Sequence, residues 1–302
     1  MLGRDAARAA EQVGHELVLV GHEDLDVRDA DAVEALIAGE QPQAVINCAA
    51  WTNVDGAEDD LRGAMAVNAT GARNLAVATE RLPATVVYPS TDYVFDGDTD
   101  APYVESDEPR PLSVYGQSKL AGEMETAKHN PRHFIARSSW LFGVGGRNFV
   151  ETMLTFAGDH EEVVVIRDQV GCPTYTGHLA PAIVRLLEWD TWGIHHMAGA
   201  GACSWYDFAL EIFEQAGMDF DELRAGGKPL VGGVRASLAA GQSAADGRQS
   251  HSRTRKDYPM HHRVGILPSF SHSRRILADS RRGNNARERR YEPPVGAAPE
   301  AI

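Results

Sequence analysis

Residues 1–20 read MLGRDAARAAEQVGHELVLV, and the fold turns on them. After Gly3, the small and charged residues from Arg4 to Glu11 read as a helix. Gly14 is a stop signal, and the apolar run Leu17 to Val20 reads as a strand. A helix leading into a strand is the second half of a βαβ unit, and nothing ahead of Gly3 supplies the first strand. Three further runs repeat the theme: QAVINCAA (43–50), TVVYPSTDYVF (85–95) and HFIARSSWLFG (133–143), separated by helical stretches. Near-continuous apolar strands alternating with helices predict an α/β fold, a doubly wound parallel sheet with its first strand missing. Ligands on such sheets collect at the carboxyl ends of the strands, so the turns after Ala50, Ser90 and Ser139 are where chemistry is expected.

At 302 residues the chain is long enough for one large or two small domains. No apolar run approaches the roughly 20 residues that span a bilayer, and no signal-peptide pattern stands at the start, so a soluble, cytoplasmic protein is expected. Three cysteines, Cys48, Cys172 and Cys203, are odd in number and widely spaced; they read as buried thiols rather than a disulfide or metal framework. The net charge of −14 conceals two compositions: residues 225–302 carry 14 basic against 6 acidic side chains, and the rest 15 against 37. The acidic part suits a protein solvated at high salt, the halophile pattern, where self-repulsion is screened.

Beyond the main strand candidates, VVVIRDQV (163–170) and GIHHMAG (193–199) read as strands and SWYDFALEIFEQAG (204–217) as an amphipathic helix. Past Arg224 periodicity fades. Of 78 residues only 12 are Leu, Ile, Val or Phe, below the roughly 20% at which chains tend to stay unfolded. Residues 225–302 therefore read as a basic, disordered tail with no core element. Its Arg clusters lack aromatic interleaving and a neighbouring fold motif, which argues against nucleic acid. His195 and His196 lack a third ligand at metal-like spacing and read as structural, so no metal is expected.

The strongest local signal is PLSVYGQSKLAGE (111–123), with Tyr115 and Lys119 four apart on a helical stretch. That spacing puts both on one face, so an ammonium near the phenol would favour its ionised form. Lys119 is one of only two lysines before residue 225, and Ser90 and Thr91 end the preceding strand candidate.

Thr91, Tyr115 and Lys119 together resemble the constellation of the short-chain dehydrogenase/reductase superfamily, extended branch. More narrowly, INCAAWTNVDGAE, AVNATGARNLA, STDYVFDG, PLSVYGQSKLAGE, RSSWLFG, DQVGCPT and SWYDFA, in that order, resemble the dTDP-4-dehydrorhamnose reductase family over Leu2 to about Gly217. The resemblance implies a Rossmann-type domain at 1–142 and a region at 143–224 that contributes a small substrate-binding subdomain and returning sheet elements. It implies catalytic roles for Thr91, Tyr115 and Lys119 in reducing the C4 ketone of a nucleotide sugar, with Thr91, Asp92 and Trp140 on the substrate. Cofactor contacts are implied at Gly3, Asp26, Val27, Ala49, Ala50 and Trp51, besides Tyr115 and Lys119. Asn68 is expected to pack near the site.

After HELVLV the acidic residue that would grip an NAD ribose is replaced by Gly21 and His22, which favours NADPH with NADH possible. A homodimer is possible. Rival readings are another nucleotide-sugar reductase or epimerase of the same branch, and a non-catalytic regulatory subunit, since the family resembles that of methionine adenosyltransferase. Both ends depart from the family pattern. Only the third glycine of a Gly-x-x-Gly-x-x-Gly turn is present, as Gly3, which reads as a downstream initiator, and the text after Arg224 reads as translation out of frame.

Overall fold

The computed structural model describes residues 1–159, 162–218, 223–226 and 263–267. Helix α1 (Leu2–Gln12) leads into β1 (Glu16–Leu19), and α2 (Ala30–Glu40) into β2 (Ala44–Asn47). Two short helices follow, α3 (Val54–Asp59) and α4 (Leu61–Met65), then a π-helical turn (Ala66–Thr70), α5 (Gly71–Glu80) and β3 (Thr85–Thr91). A 3₁₀ turn (Asp92–Val94) and a long loop precede α6 (Val114–His129), β4 (His133–Ser138) and β5 (Leu141–Phe142). Beyond these lie α7 (Phe149–Asp159), β6 (Val163–Ile166), β7 (Val170–Gly171), β8 (Thr174–Tyr175), α8 (Thr176–Leu186) and β9 (Gly193–His196). The last described elements are β10 (Cys203–Ser204), α9 (Trp205–Gln215), β11 (Leu223–Gly226) and β12 (Arg263–Leu267).

The central sheet has the order β1-β12-β2-β3-β4-β9, parallel throughout. Its alternating side chains feed two layers. Ala44 and Ile46 of β2 join Val87, Phe134 and Ala136 beneath α1 and α8, whose inward faces are Ala6, Ala9 and Ala10 and Leu179, Ile183 and Val184. Val45 points the other way, into a cluster with Val33 and Ile37 of α2 and Leu75 and Ala78 of α5. The expected βαβ alternation is thus present with helices on both faces. A smaller cluster of Met153, Val163, Val165, Phe208, Ile212, Phe213 and Leu223 joins α7, β6, β11 and α9. Helix α9 starts on a capping box, in which Ser204 and Asp207 exchange hydrogen bonds.

The expectation of a missing first strand and a tail without a core element is corrected by β12. Arg263–Leu267 lies between β1 and β2, the position a first strand would take, paired in register to Glu16–Leu19 on one side and Ala44–Asn47 on the other. Val264 and Ile266 enter the α1/α8 layer and Leu267 the α2/α5 layer. Arg263 is anchored by Glu40 and lies 3.5 Å from Glu16. Burial of the three apolar side chains contributes roughly 5–9 kcal/mol, against roughly 5–10 for fixing five backbone residues. The two-sided backbone hydrogen bonding therefore decides whether the strand docks. The remainder of 227–302 lies outside the described residues.

Candidate active site

The site is built where β3 ends and α6 begins. Ser113 caps α6 by accepting Gly116 N–H at 3.1 Å, and Thr91 caps the 3₁₀ turn by accepting Tyr93 N–H at 3.2 Å. Helix α6 lies close against β3 and the π-helical turn because residue 122 is glycine. A Cβ there would stand 2.2 Å from both the Asn68 carbonyl and the Tyr88 hydroxyl.

Tyr115 is half-buried, its ring edge-to-face with Tyr93 at 5.6 Å. Burial pushes its phenol up to about 12; a hydrogen bond with Thr91 opposes this, and the Asp92 charge adds to it. Lys119 is buried. Its Nζ donates to the Pro89 carbonyl at 2.7 Å and lies 4.0 Å from the Tyr88 ring centroid. Burial pushes the ammonium down to about 7, with Glu123 and then the Cys48 thiol opposing. The i, i+4 spacing predicts that Lys119 lowers the Tyr115 pKa. In the structure desolvation is the largest cause of the Tyr115 shift and Lys119 is not among its causes: the phenol stays protonated at neutral pH and the Lys119 Nζ is directed to the Pro89 carbonyl.

Asp92 is 1% exposed, and its Oδ1 accepts from Thr91 Oγ1 at 3.1 Å while Oδ2 has no hydrogen-bond partner among the described residues. Burial pushes its carboxyl up to about 7. A buried acceptor left open beside Thr91 is suited to a ligand hydroxyl.

The turn after β2 is held by Asn68, in the π-helical turn. Its Oδ1 accepts Trp51 N–H at 2.8 Å, and its Nδ2 donates to Trp51 O at 3.1 Å and to Ser118 Oγ at 2.8 Å. Trp51 is thereby tied to α6 at Ser118, next to Lys119, while Ala49 N–H donates to Asn47 Oδ1 at 3.1 Å. Single π-helical turns inside helices are frequent at functional sites. Asp26 and Val27 lie farther along the carboxyl edge, past β1. Asp26 is clamped by Arg28 at 2.6 Å, which holds its carboxyl low, and Val27 O accepts from Asn74. Gly3 is buried in the first turn of α1, whose amino end faces the carboxyl edge because the helix runs down into the start of β1.

Trp140 follows β4 with a φ of +48° and stacks on Trp205, ring centroids 3.5 Å apart and 8° from parallel. Gly171 makes the room: a Cβ there would meet the Trp140 ring at 2.3 Å. Trp205 Nε1 donates to Gln169 Oε1 at 3.2 Å. Thr91, Asp92, Tyr115 and Lys119 are thus brought together, with Trp51 tied in through Asn68; Asp26, Val27 and Trp140 belong to flanking segments. Cys48 and Cys172 are buried and Cys203 half-buried. His195 bonds the Thr191 carbonyl and His196 that of Tyr103, and no metal-binding cluster exists among the described residues.

Sequence reasoning passed over Glu123 and Arg137, which form a fully buried bidentate pair at 2.9 and 2.6 Å. An arginine inside the apolar strand HFIARS was the available signal, because a buried charge demands a partner.

The profile of the RmlD substrate binding domain matches residues 1–230. The chain belongs to the RmlD substrate binding domain family. Among similar proteins, the spore coat polysaccharide biosynthesis protein SpsK of Bacillus subtilis is 39% identical over 218 residues, covering 72% of this chain and 77% of that protein. The dTDP-4-dehydrorhamnose reductase of Aggregatibacter actinomycetemcomitans is 40% identical over 222 residues, covering 71% and 76%. The crystal structure of dTDP-4-dehydrorhamnose reductase from Bacillus anthracis in complex with NADP superposes with a TM-score of 0.71 at 34% identity, covering 76% of this chain and 90% of that one. Strand β12 lies outside the stretch matched by the RmlD profile. Among the described residues no helix is long and apolar enough to cross a membrane.

Proposed function

We propose that this chain is an NADPH-dependent reductase that converts the C4 ketone of dTDP-4-dehydro-L-rhamnose to the alcohol of dTDP-L-rhamnose, acting in the cytoplasm in dTDP-rhamnose biosynthesis. The observation that carries the reading is Tyr115 and Lys119 on one face of α6, a helical turn apart, next to Thr91 and Asp92 at the end of β3, with burial keeping the phenol protonated. Ketone reduction needs a proton donor beside the carbonyl oxygen, and a neutral phenol is that donor.

The residues fit a dinucleotide. Asn68 fixes the backbone of Trp51 and Asn47 that of Ala49 at the carboxyl end of β2, α1 starts without a side-chain cap, and Lys119 stands on the neighbouring α6. A reduced nicotinamide bound there supplies the hydride. Tyr115 gives its proton to the oxygen that becomes the alcohol, and Thr91 hydrogen-bonds the same oxygen, stabilising charge as it develops. Lys119 then faces a phenolate and can hold it or restore its proton. The open oxygen of Asp92 accepts from a sugar hydroxyl, and the Trp140–Trp205 stack offers an apolar wall.

For the 2′-phosphate of NADPH, Gly21 and His22 stand just past β1 where an acidic residue would grip the ribose, and the Asp24 carboxylate near them is taken up by the Gly21 N–H at 2.8 Å. The complex of the Bacillus anthracis reductase with NADP agrees with this reading.

NADPH oxidation followed at 340 nm with the ketosugar tests the proposal. Tyr115→Phe is expected to lower kcat by about 10²–10⁴-fold while leaving NADPH binding intact. Retention of turnover within a few-fold would sink the assignment.

A further inference from the structure

We propose that Glu123 is a positioning residue of this site, tying α6 to the ends of β3 and β4 and keeping an anion before the Lys119 ammonium. The inference rests on the reading of Lys119 given above. Tyr115, Lys119 and Glu123 follow one another at intervals of four on α6 and share a face. Glu123 is 3% exposed. Its carboxylate accepts Arg137 Nε at 2.9 Å and Nη2 at 2.6 Å, and Ser90 Oγ as well. Ser90 directly precedes Thr91 on β3, and Arg137 stands three residues before Trp140. One carboxylate therefore joins the helix of the proton donor to both strands that end in proposed substrate contacts.

A buried ion pair is weak evidence for stability, because apolar residues of similar volume usually do as well there. Its placement beside Lys119 gives it a different task. The groups that act on the ammonium are Glu123 from α6 and the Cys48 thiol after β2, with the Tyr88 ring of β3 4.0 Å away. Arg137 holds Glu123 and lies 5.1 Å from the Phe95 ring centroid. Of these, the Glu123 carboxylate opposes the desolvation of Lys119 most strongly.

The test is the pH profile of kcat/KM for NADPH oxidation in the full chain, comparing wild type with the double variant Glu123→Gln, Arg137→Met. Removing the pair together leaves no charge stranded. The double variant is expected to stay folded, with its basic limb moved down by about one pH unit. A folded double variant with an unmoved limb overturns the proposal. Should it fail to fold, Ser90→Ala serves instead. Loss of the hydroxyl leaves the carboxylate charge less screened, so the limb moves up by a few tenths of a unit; an unmoved limb there is equally fatal. Lys119→Met separates the two levels. If it turns over normally, the proposed role of Lys119 falls and this inference with it, whereas an inactive Lys119→Met beside an unmoved limb overturns only the inference.

Discussion

Asp92→Asn isolates the energetic consequence of burying a carboxyl for use by a ligand. In the folded chain the group is 1% exposed and titrates near 7, against a usual 3.8. The folded state therefore binds the proton more tightly than the unfolded state does, and stability falls as pH rises through that window. At about 1.4 kcal/mol per unit, the three-unit displacement amounts to about 4 kcal/mol above neutrality, and about 3 of that is lost between roughly pH 5 and pH 8. Asparagine keeps the Oδ1 that accepts from Thr91 but places an NH₂ where Oδ2 has no partner, a cost of about 1–3 kcal/mol. Near pH 8 the variant is expected to be more stable than wild type by about 1–3 kcal/mol; near pH 5 the gain shrinks to zero or reverses. Urea denaturation at the two pH values measures both differences. The same stability difference at both would refute the reasoning, since only titration of Asp92 makes the effect depend on pH. The gain is expected to come with weaker substrate binding, the usual exchange at a site that holds a strained group.

Two further perturbations address the rest of the molecule. Ile266→Asp places a charge at a position 1% exposed between two helices and the sheet. It is expected to undock β12 and speed hydrogen exchange at Glu16–Leu19 and Ala44–Asn47, while exchange in β4 stays slow; unchanged protection in β1 and β2 would contradict the pairing. The acidic excess, net −14 over the whole chain, predicts a melting temperature that rises from dilute buffer to about 1 M salt, where the Debye length is about 3 Å. Calorimetry showing greatest stability in dilute buffer would rule out screened self-repulsion as a controlling force.

Much of this was legible from residues alone, for identifiable reasons. The strands announced themselves because a parallel sheet buried on both faces demands apolar residues at successive positions, as in Ala44–Asn47, all four of which are buried. Tyr115 and Lys119 were found because helical spacing fixes which side chains share a face. What spacing cannot fix is which acceptor a side chain chooses, and Lys119 reaches the Pro89 carbonyl. Nor can it weigh desolvation, which sets the direction of the Tyr115 shift against the one proximity suggested. Strand β12 was hidden by averaging. Five residues with an apolar pattern vanish in a 78-residue stretch that is poor in large aliphatics, and only the unpaired edges of β1 and β2 give them a place.

That last element bears on how the site works. The carboxyl end of β12 stands between those of β1 and β2, the region where doubly wound sheets receive a dinucleotide. Apolar burial and chain entropy nearly cancel for this strand and backbone pairing to β1 and β2 decides its docking, so the docked state gains from anything that binds it alone. A ligand present at 100 times its Kd adds about 2.7 kcal/mol to the state it binds. Cofactor binding and completion of the sheet are therefore expected to be one coupled equilibrium in this chain, with the active-site half from Thr91 to Glu123 assembled on strands that do not touch β12 except through β2.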